Sequence, residues 1–104
     1  MKRFLLSPYA SRDLDEVISY LESLPVEPAN RIGSSMRRML ENIGEYPLRG
    51  PAQSELTRIM GFEVRSRLVA SYRVLYRAGP AVPEIIGILH AARDVPTIMA
   101  ERVQ

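Results

Sequence analysis

The sequence predicts an α+β domain: an N-terminal strand, an antiparallel two-helix hairpin, then a three-stranded antiparallel segment that completes a twisted sheet. Three observations lead there. Apolar residues recur at helical spacing between positions 14 and 43. Apolar and polar residues alternate with a period of two from 62 to 77, the signature of half-buried strands. A nearly unbroken apolar run, "EIIGILHA", follows the turn "AGPAVP" at 78–83 and reads as a central, covered strand.

The chain opens with a short strand, "KRFLL", over Lys2 to Leu6. Ser7 then supplies an N-cap and Pro8 the first helical position. Leu14, Val17, Ile18, Leu21 and Leu24 form one apolar face, and Pro25 stops the helix. A second helix is expected from near Pro28, with the stripe Ala29, Ile32, Met36, Met39, Leu40 and Ile43, ended by Gly44 and Pro47. The short link "PVEP" makes the two helices an antiparallel hairpin.

Residues 47–61 read as a loop with one helical turn. In "FEVRSRLV", Phe62, Val64 and Leu68 alternate with Glu63, Arg65 and Arg67, and Ser66 breaks the apolar register. In "YRVLYRA", Tyr72, Val74 and Tyr76 share one face and Arg73, Leu75 and Arg77 the other. The tail from Asp94 holds either a short helix or an extension. The first strand must join the sheet formed by the later three, because a lone strand stays unpaired. There are no internal repeats, and residues 1–104 read as one domain, since 104 residues are too few for two cores.

Composition narrows the function classes. With no cysteine, disulfides and thiolate metal sites are excluded. With a single histidine, His90, no conventional zinc site can be assembled, and no metal or cofactor is expected. No stretch approaches the ~20 apolar residues of a membrane span, and "FLL" before Ser7-Pro8 is too short for a signal peptide. A cytoplasmic protein is expected. Of 14 basic residues only Lys2 is a lysine, and the net charge is +2. The basic excess falls in residues 58–104.

No catalytic motif is complete: glycines form neither GxGxxG nor a P-loop, and nothing marks a nucleophilic serine. What remains is arginine on strands. Arg65, Arg67, Arg73 and Arg77 project from two adjacent strands, and Arg93 from the end of a third. If they share a face, they make a cationic surface for phosphates or for an acidic partner. The simpler alternative is an open sheet face solvated by long side chains. His90 on an apolar strand reads either as a structural histidine or as an acid–base group.

"SPYASRDLDEVISYL" after the opening strand, the helix closing on "IGEYPLRG", the "YRVLYR" strand and the "ILHAARD" end follow one another in this order. In this combination the chain resembles the RelE/ParE superfamily of type II toxins. RelE-like members cut messenger RNA on the ribosome with a basic cluster and a C-terminal tyrosine; ParE-like members lack the full set and poison DNA gyrase. The resemblance places Arg73 and Arg93 where RelE-like toxins hold two active arginines, and Arg65 at a basic strand position. Against that set, Glu63 stands where a lysine is expected and Met99 near the tyrosine slot. A carboxylate lowers the potential of a phosphate site.

The "LHAARD" ending is ParE-like. The resemblance therefore implies a ParE-like toxin, not itself an enzyme, that inhibits gyrase, serves plasmid maintenance, and is neutralised in a hetero-oligomer by a cognate ParD-like antitoxin. The exposed arginines Arg65, Arg67, Arg73, Arg77 and Arg93 are the candidate contacts. The alternative is a ribosome-dependent endoribonuclease acting on messenger RNA through Arg65, Arg73, Arg93 and His90. A third reading is an inactive relative kept as a binding partner. Asp94 is expected to cap the next element or to pair with an arginine.

Overall fold

A computed structural model describes residues 3–79 and 81–103. Lys2 of the expected first strand and Pro80 of the expected turn lie outside these residues. Eight elements follow in order: β1 (Leu5–Leu6), α1 (Pro8–Glu22), α2 (Val26–Glu45), α3 (Ser54–Met60), β2 (Arg65–Val69), β3 (Tyr72–Arg77), β4 (Glu84–His90) and α4 (Val95–Arg102). The sheet runs β1-β4-β3-β2. β2–β3 and β3–β4 are antiparallel, whereas β1 lies parallel to β4, so the α+β sheet is mixed.

Local chemistry sets the boundaries. Among the described residues of the expected first strand only Leu5 and Leu6 are paired, since β4 begins at Glu84 opposite Leu5, and the strand ends as expected at Ser7. The Ser7 N–H donates to the Ile85 carbonyl at 2.9 Å, while its Oγ accepts from the Ala10 N–H at 3.1 Å and caps α1. The second helix begins at Val26, two residues before the expected start. Pro28 sits inside its first turn, where an N–H has no helical acceptor to lose. The expected single turn within 47–61 is a seven-residue helix, α3. Leu56 is buried from it, and Gly61 ends it at φ 82°, a left-handed conformation that glycine adopts without strain.

α1 and α2 cover one face of the sheet. Val17, Met36, Leu40 and Ile43 pack there on Val74, Tyr76, Ile85 and Ile88. The opposite face, read from the sequence as open around Arg73 and Arg77, is covered in part by α3 and α4. Leu56, Val95 and Met99 pack there on Leu75, Ile86 and Leu89. A bulge between Leu75 and Tyr76 shifts the β3–β4 register, and both residues are fully buried, on opposite faces. α4 realises the helical option for the tail. Asp94 caps it, accepting from the Thr97 N–H at 3.3 Å and from the Thr97 hydroxyl at 2.8 Å.

Candidate functional site

The five candidate arginines do not form one surface. Arg65 and Arg67 stand opposite Tyr76 and Val74 and so belong to the α1–α2 face. Arg73 and Arg77 share the α3–α4 face with Leu75. Three of the five are already engaged. Arg65 donates to the carbonyls of Leu48 and Gly50, at 3.1 and 2.8 Å, and its Nε meets Glu63 at 3.0 Å. It holds the loop after α2 against the edge of β2. Arg67 donates to the Asn42 side-chain oxygen at 2.9 Å, tying β2 to α2. Arg77 lies over the Phe62 ring, 4.3 Å from its centroid.

Arg73 and Arg93 differ from these. They line one cavity of about 270 Å³ with Gln53, Glu55, Leu56 and Asp94, between the starts of α3 and α4. The Arg73 Nε is buried and has no hydrogen-bond partner. Arg93 is exposed, and its backbone N–H closes the turn by donating to the His90 carbonyl at 3.0 Å.

His90 lies on the other side of the strand from Leu89, opposite Tyr72. Its Nδ1 accepts from the Ala92 N–H at 3.1 Å, and its ring meets Tyr72 edge to face at 5.7 Å. This is a strand-end arrangement. Burial, and secondarily the nearby Tyr20, push the Tyr72 hydroxyl pKa up. Met99, which the resemblance puts near the C-terminal tyrosine slot of RelE-like toxins, is 1% exposed and therefore unable to stack on a nucleobase. Among the described residues no group of three His, Cys, Asp or Glu side chains could hold a metal ion.

A second surface involves Met36, which the sequence reads, with Met39, most simply as core filler and otherwise as lining a groove for a partner helix. Between α1 and α2 runs an apolar groove of about 400 Å³, lined by Leu14, Ile18, Leu21, Met36 and Leu40, with Arg37 and Glu41 among its polar residues. Ile18 was expected in the core, yet it is 46% exposed. The helical stripe is wider than the face the sheet can cover, so its margin is left to solvent. The width of that stripe was the available signal.

Sequence reasoning also missed Asp13 and Arg102. Asp13 is 3% exposed on α1. Its carboxylate accepts two hydrogen bonds from Arg102, both 2.8 Å, and one from the Ile88 N–H at 2.9 Å. β1 pairs with β4 only as far as Ile85, and Asp13 takes the strand N–H that lies beyond it. The hydrogen bond to Asp13 holds the Arg102 pKa above its usual value, against the opposing effect of burial. Nothing in the periodicity of α1 marks this aspartate, because a buried acid needs a partner 89 residues away.

Such a fold, with two sheet faces packed by helices, an apolar groove and arginines split between faces, defines a small α+β protein. The family model for the ParE toxin of the type II toxin-antitoxin system, parDE, matches residues 4–95. The chain belongs to this family and is a type II toxin, as its resemblance to the RelE/ParE superfamily implied. Family membership also implies an antitoxin partner. No individual curated protein matches the chain. Among the described residues no helix is long and apolar enough to cross a membrane.

Proposed function

We propose that this toxin arrests growth in the cytoplasm by binding DNA gyrase and stabilising its cleaved-DNA state, and that a ParD-like antitoxin neutralises it. The observation that carries the reading is the dispersal of the residues an endoribonuclease would need. Arg65 is fastened to Glu63 and to two carbonyls on one side of the sheet, while Arg73 lies on the other. Transition-state stabilisation of phosphoryl chemistry requires donors converging on one point, and although Arg73 and Arg93 share a cavity, Arg65 does not join them. Met99, which the resemblance puts near the slot of a stacking tyrosine, is buried.

The antitoxin is proposed to lay the apolar face of a helix in the α1–α2 groove, against Leu14, Ile18 and Leu21. An apolar groove with few polar groups suits an amphipathic helix better than nucleic acid. Family membership supplies the partner, and the groove supplies a surface of matching chemistry.

Induction of the toxin alone tests the target. Accumulation of cleaved DNA with intact messages is the expected result. Ribosome-dependent message cleavage with normal DNA topology would instead support the endoribonuclease reading, which the shared cavity of Arg73 and Arg93 favours. Absence of any growth arrest leaves an inactive relative that retains antitoxin binding.

A further inference from the structure

A cavity of about 390 Å³ shares no lining residue with the α1–α2 groove. Tyr20 of α1, Ile32 of α2, Ala70 and Ser71 of the β2–β3 turn, Tyr72 of β3 and His90 of β4 surround it. Its volume falls within the range of ligand sites, about 300–1,000 Å³. The Tyr72 and His90 rings meet edge to face at 5.7 Å and 76°, and so form a fixed aromatic wall. Ala70 holds φ 52°, a left-handed conformation that is unfavourable for a residue with a Cβ and persists where the surrounding structure fixes it. The Tyr20 and Tyr72 hydroxyls make no hydrogen bond among the described residues. Neither is sealed in, since the buried side-chain polar atom without a partner among those residues is the Arg73 Nε.

We infer that this cavity anchors one tryptophan side chain of a partner protein, its indole ring packed on the Tyr72–His90 wall and Ile32, and its N–H donating to a tyrosine hydroxyl oxygen. The lining chemistry selects this class. It holds no carboxylate, arginine or lysine, so a charged group entering it would lose hydration and gain no counter-charge. It offers rings and an isoleucine to a flat apolar body and hydroxyls to one polar edge, which is the make-up of an indole. An aliphatic side chain would cover the hydroxyls without pairing them. A nucleobase is flat as well, but it brings a phosphate, and no cation lines the cavity to receive one. Because groove and cavity share no residue, a helix in the first and an indole in the second can be held at once. The inference rests on the reading above, in which the chain acts by binding proteins.

The chain contains no tryptophan, so the fluorescence of an added indole is read against tyrosine alone. The probe is N-acetyltryptophanamide, titrated with the full chain labelled with ¹⁵N. A saturable blue shift is expected, with a dissociation constant of roughly 0.1–1 mM for so small a ligand. The backbone amide shifts should centre on Ile32, Ser71, Tyr72 and His90. Tyr20→Ala, at a position 52% exposed, should leave the rest of the amide spectrum in place and weaken binding at least about fivefold. The N-methylated indole analogue, which has no N–H to donate, should bind several-fold more weakly, and adenosine monophosphate should not displace the probe. Any one of five results overturns the inference: no saturable change, shifts centred on Ile18, Leu21 and Met36 of the groove, indifference to Tyr20→Ala, equal binding of the methylated analogue, or displacement by the nucleotide. Growth arrest on induction reports separately on the function. A chain that poisons gyrase but ignores the probe overturns this inference alone. A chain that binds the probe here but leaves gyrase untouched overturns the gyrase reading alone.

Discussion

Asp13 and Arg102, 89 residues apart, form a two-point ion pair that fastens α4 to α1. The side chains are 4% and 14% exposed, and the Arg102 guanidinium also lies 4.8 Å from the Tyr9 ring centroid. To reach Asp13, Arg102 passes Gly87, where a Cβ would stand 3.5 Å from its Nη1 and 3.3 Å from the Met99 sulfur. Removing one partner strands the other charge. Asp13→Ala should therefore cost roughly 3–5 kcal/mol, read as a lowered urea midpoint with an unchanged slope. Asp13→Ala combined with Arg102→Met should recover part of the loss, because no buried charge is then left unpaired.

Tyr76 carries a second long-range tie. Its hydroxyl donates to the Pro47 carbonyl at 2.7 Å and accepts from the Gly50 N–H at 3.1 Å. Tyr76→Phe should cost about 1–3 kcal/mol by leaving both backbone groups unmet. Burial is the main cause that raises the Tyr76 pKa above the ordinary tyrosine value of 10.0. With a folded pKa above the unfolded one, its stabilising contribution is complete below pH ~10 and is lost as pH climbs through the folded value. Denaturation between neutral and strongly alkaline pH should show that decline, and Tyr76→Phe should make it shallower.

Gly50 is required by close approach. A Cβ there would lie 2.6 Å from the Tyr76 hydroxyl and 2.7 Å from the Ser66 carbonyl oxygen. Gly50→Ala should destabilise by about 1–3 kcal/mol, measured by thermal unfolding, as the loop is pushed off β2 and β3.

Glu63 and Arg65 are joined by an exposed pair, 54% and 19% accessible, worth about 0–1 kcal/mol. Glu63→Gln should leave the melting temperature almost unchanged. Glu63→Lys supplies the lysine that the resemblance to RelE-like toxins leads one to expect about there. It is still expected to produce no ribosome-dependent message cleavage, since Arg65 remains bound to the Leu48 and Gly50 carbonyls. New message cuts in a primer-extension assay would count against the proposed division of roles.

Ile18→Glu tests the groove. The position is 46% exposed, so the folded toxin should persist, while a charge is introduced into an apolar contact. Growth arrest should be retained, and rescue by the antitoxin should fail. Full rescue would place the antitoxin elsewhere.

Much of the architecture was legible in the chain. Ser7 and Pro8 announced α1, and the alternation in "YRVLYR" announced β3 with Val74 and Tyr76 inward. α3 was read as a single turn, although Leu56, Ile59 and Met60 have helical spacing and Gly61 follows them. Proline and glycine on either side of that segment argued for a loop. The burial of both β3 faces was not legible either, because Arg73 and Arg77 bracket Leu75 and make that face look polar.

The sequence by itself determined the order and type of the main elements, the absence of cysteine chemistry and the family to which the chain belongs. The first two follow from local spacing, capping and composition, and the family from the motif resemblance and the family model that matches residues 4–95. Only the tertiary structure decided which arginines are already spent, that Arg73 and Arg93 meet at one cavity, and that Asp13 reaches Arg102. A hydrogen bond or ion pair depends on distances between residues far apart in the chain. A one-dimensional pattern carries the periodicity of each element but not the register in which the elements meet.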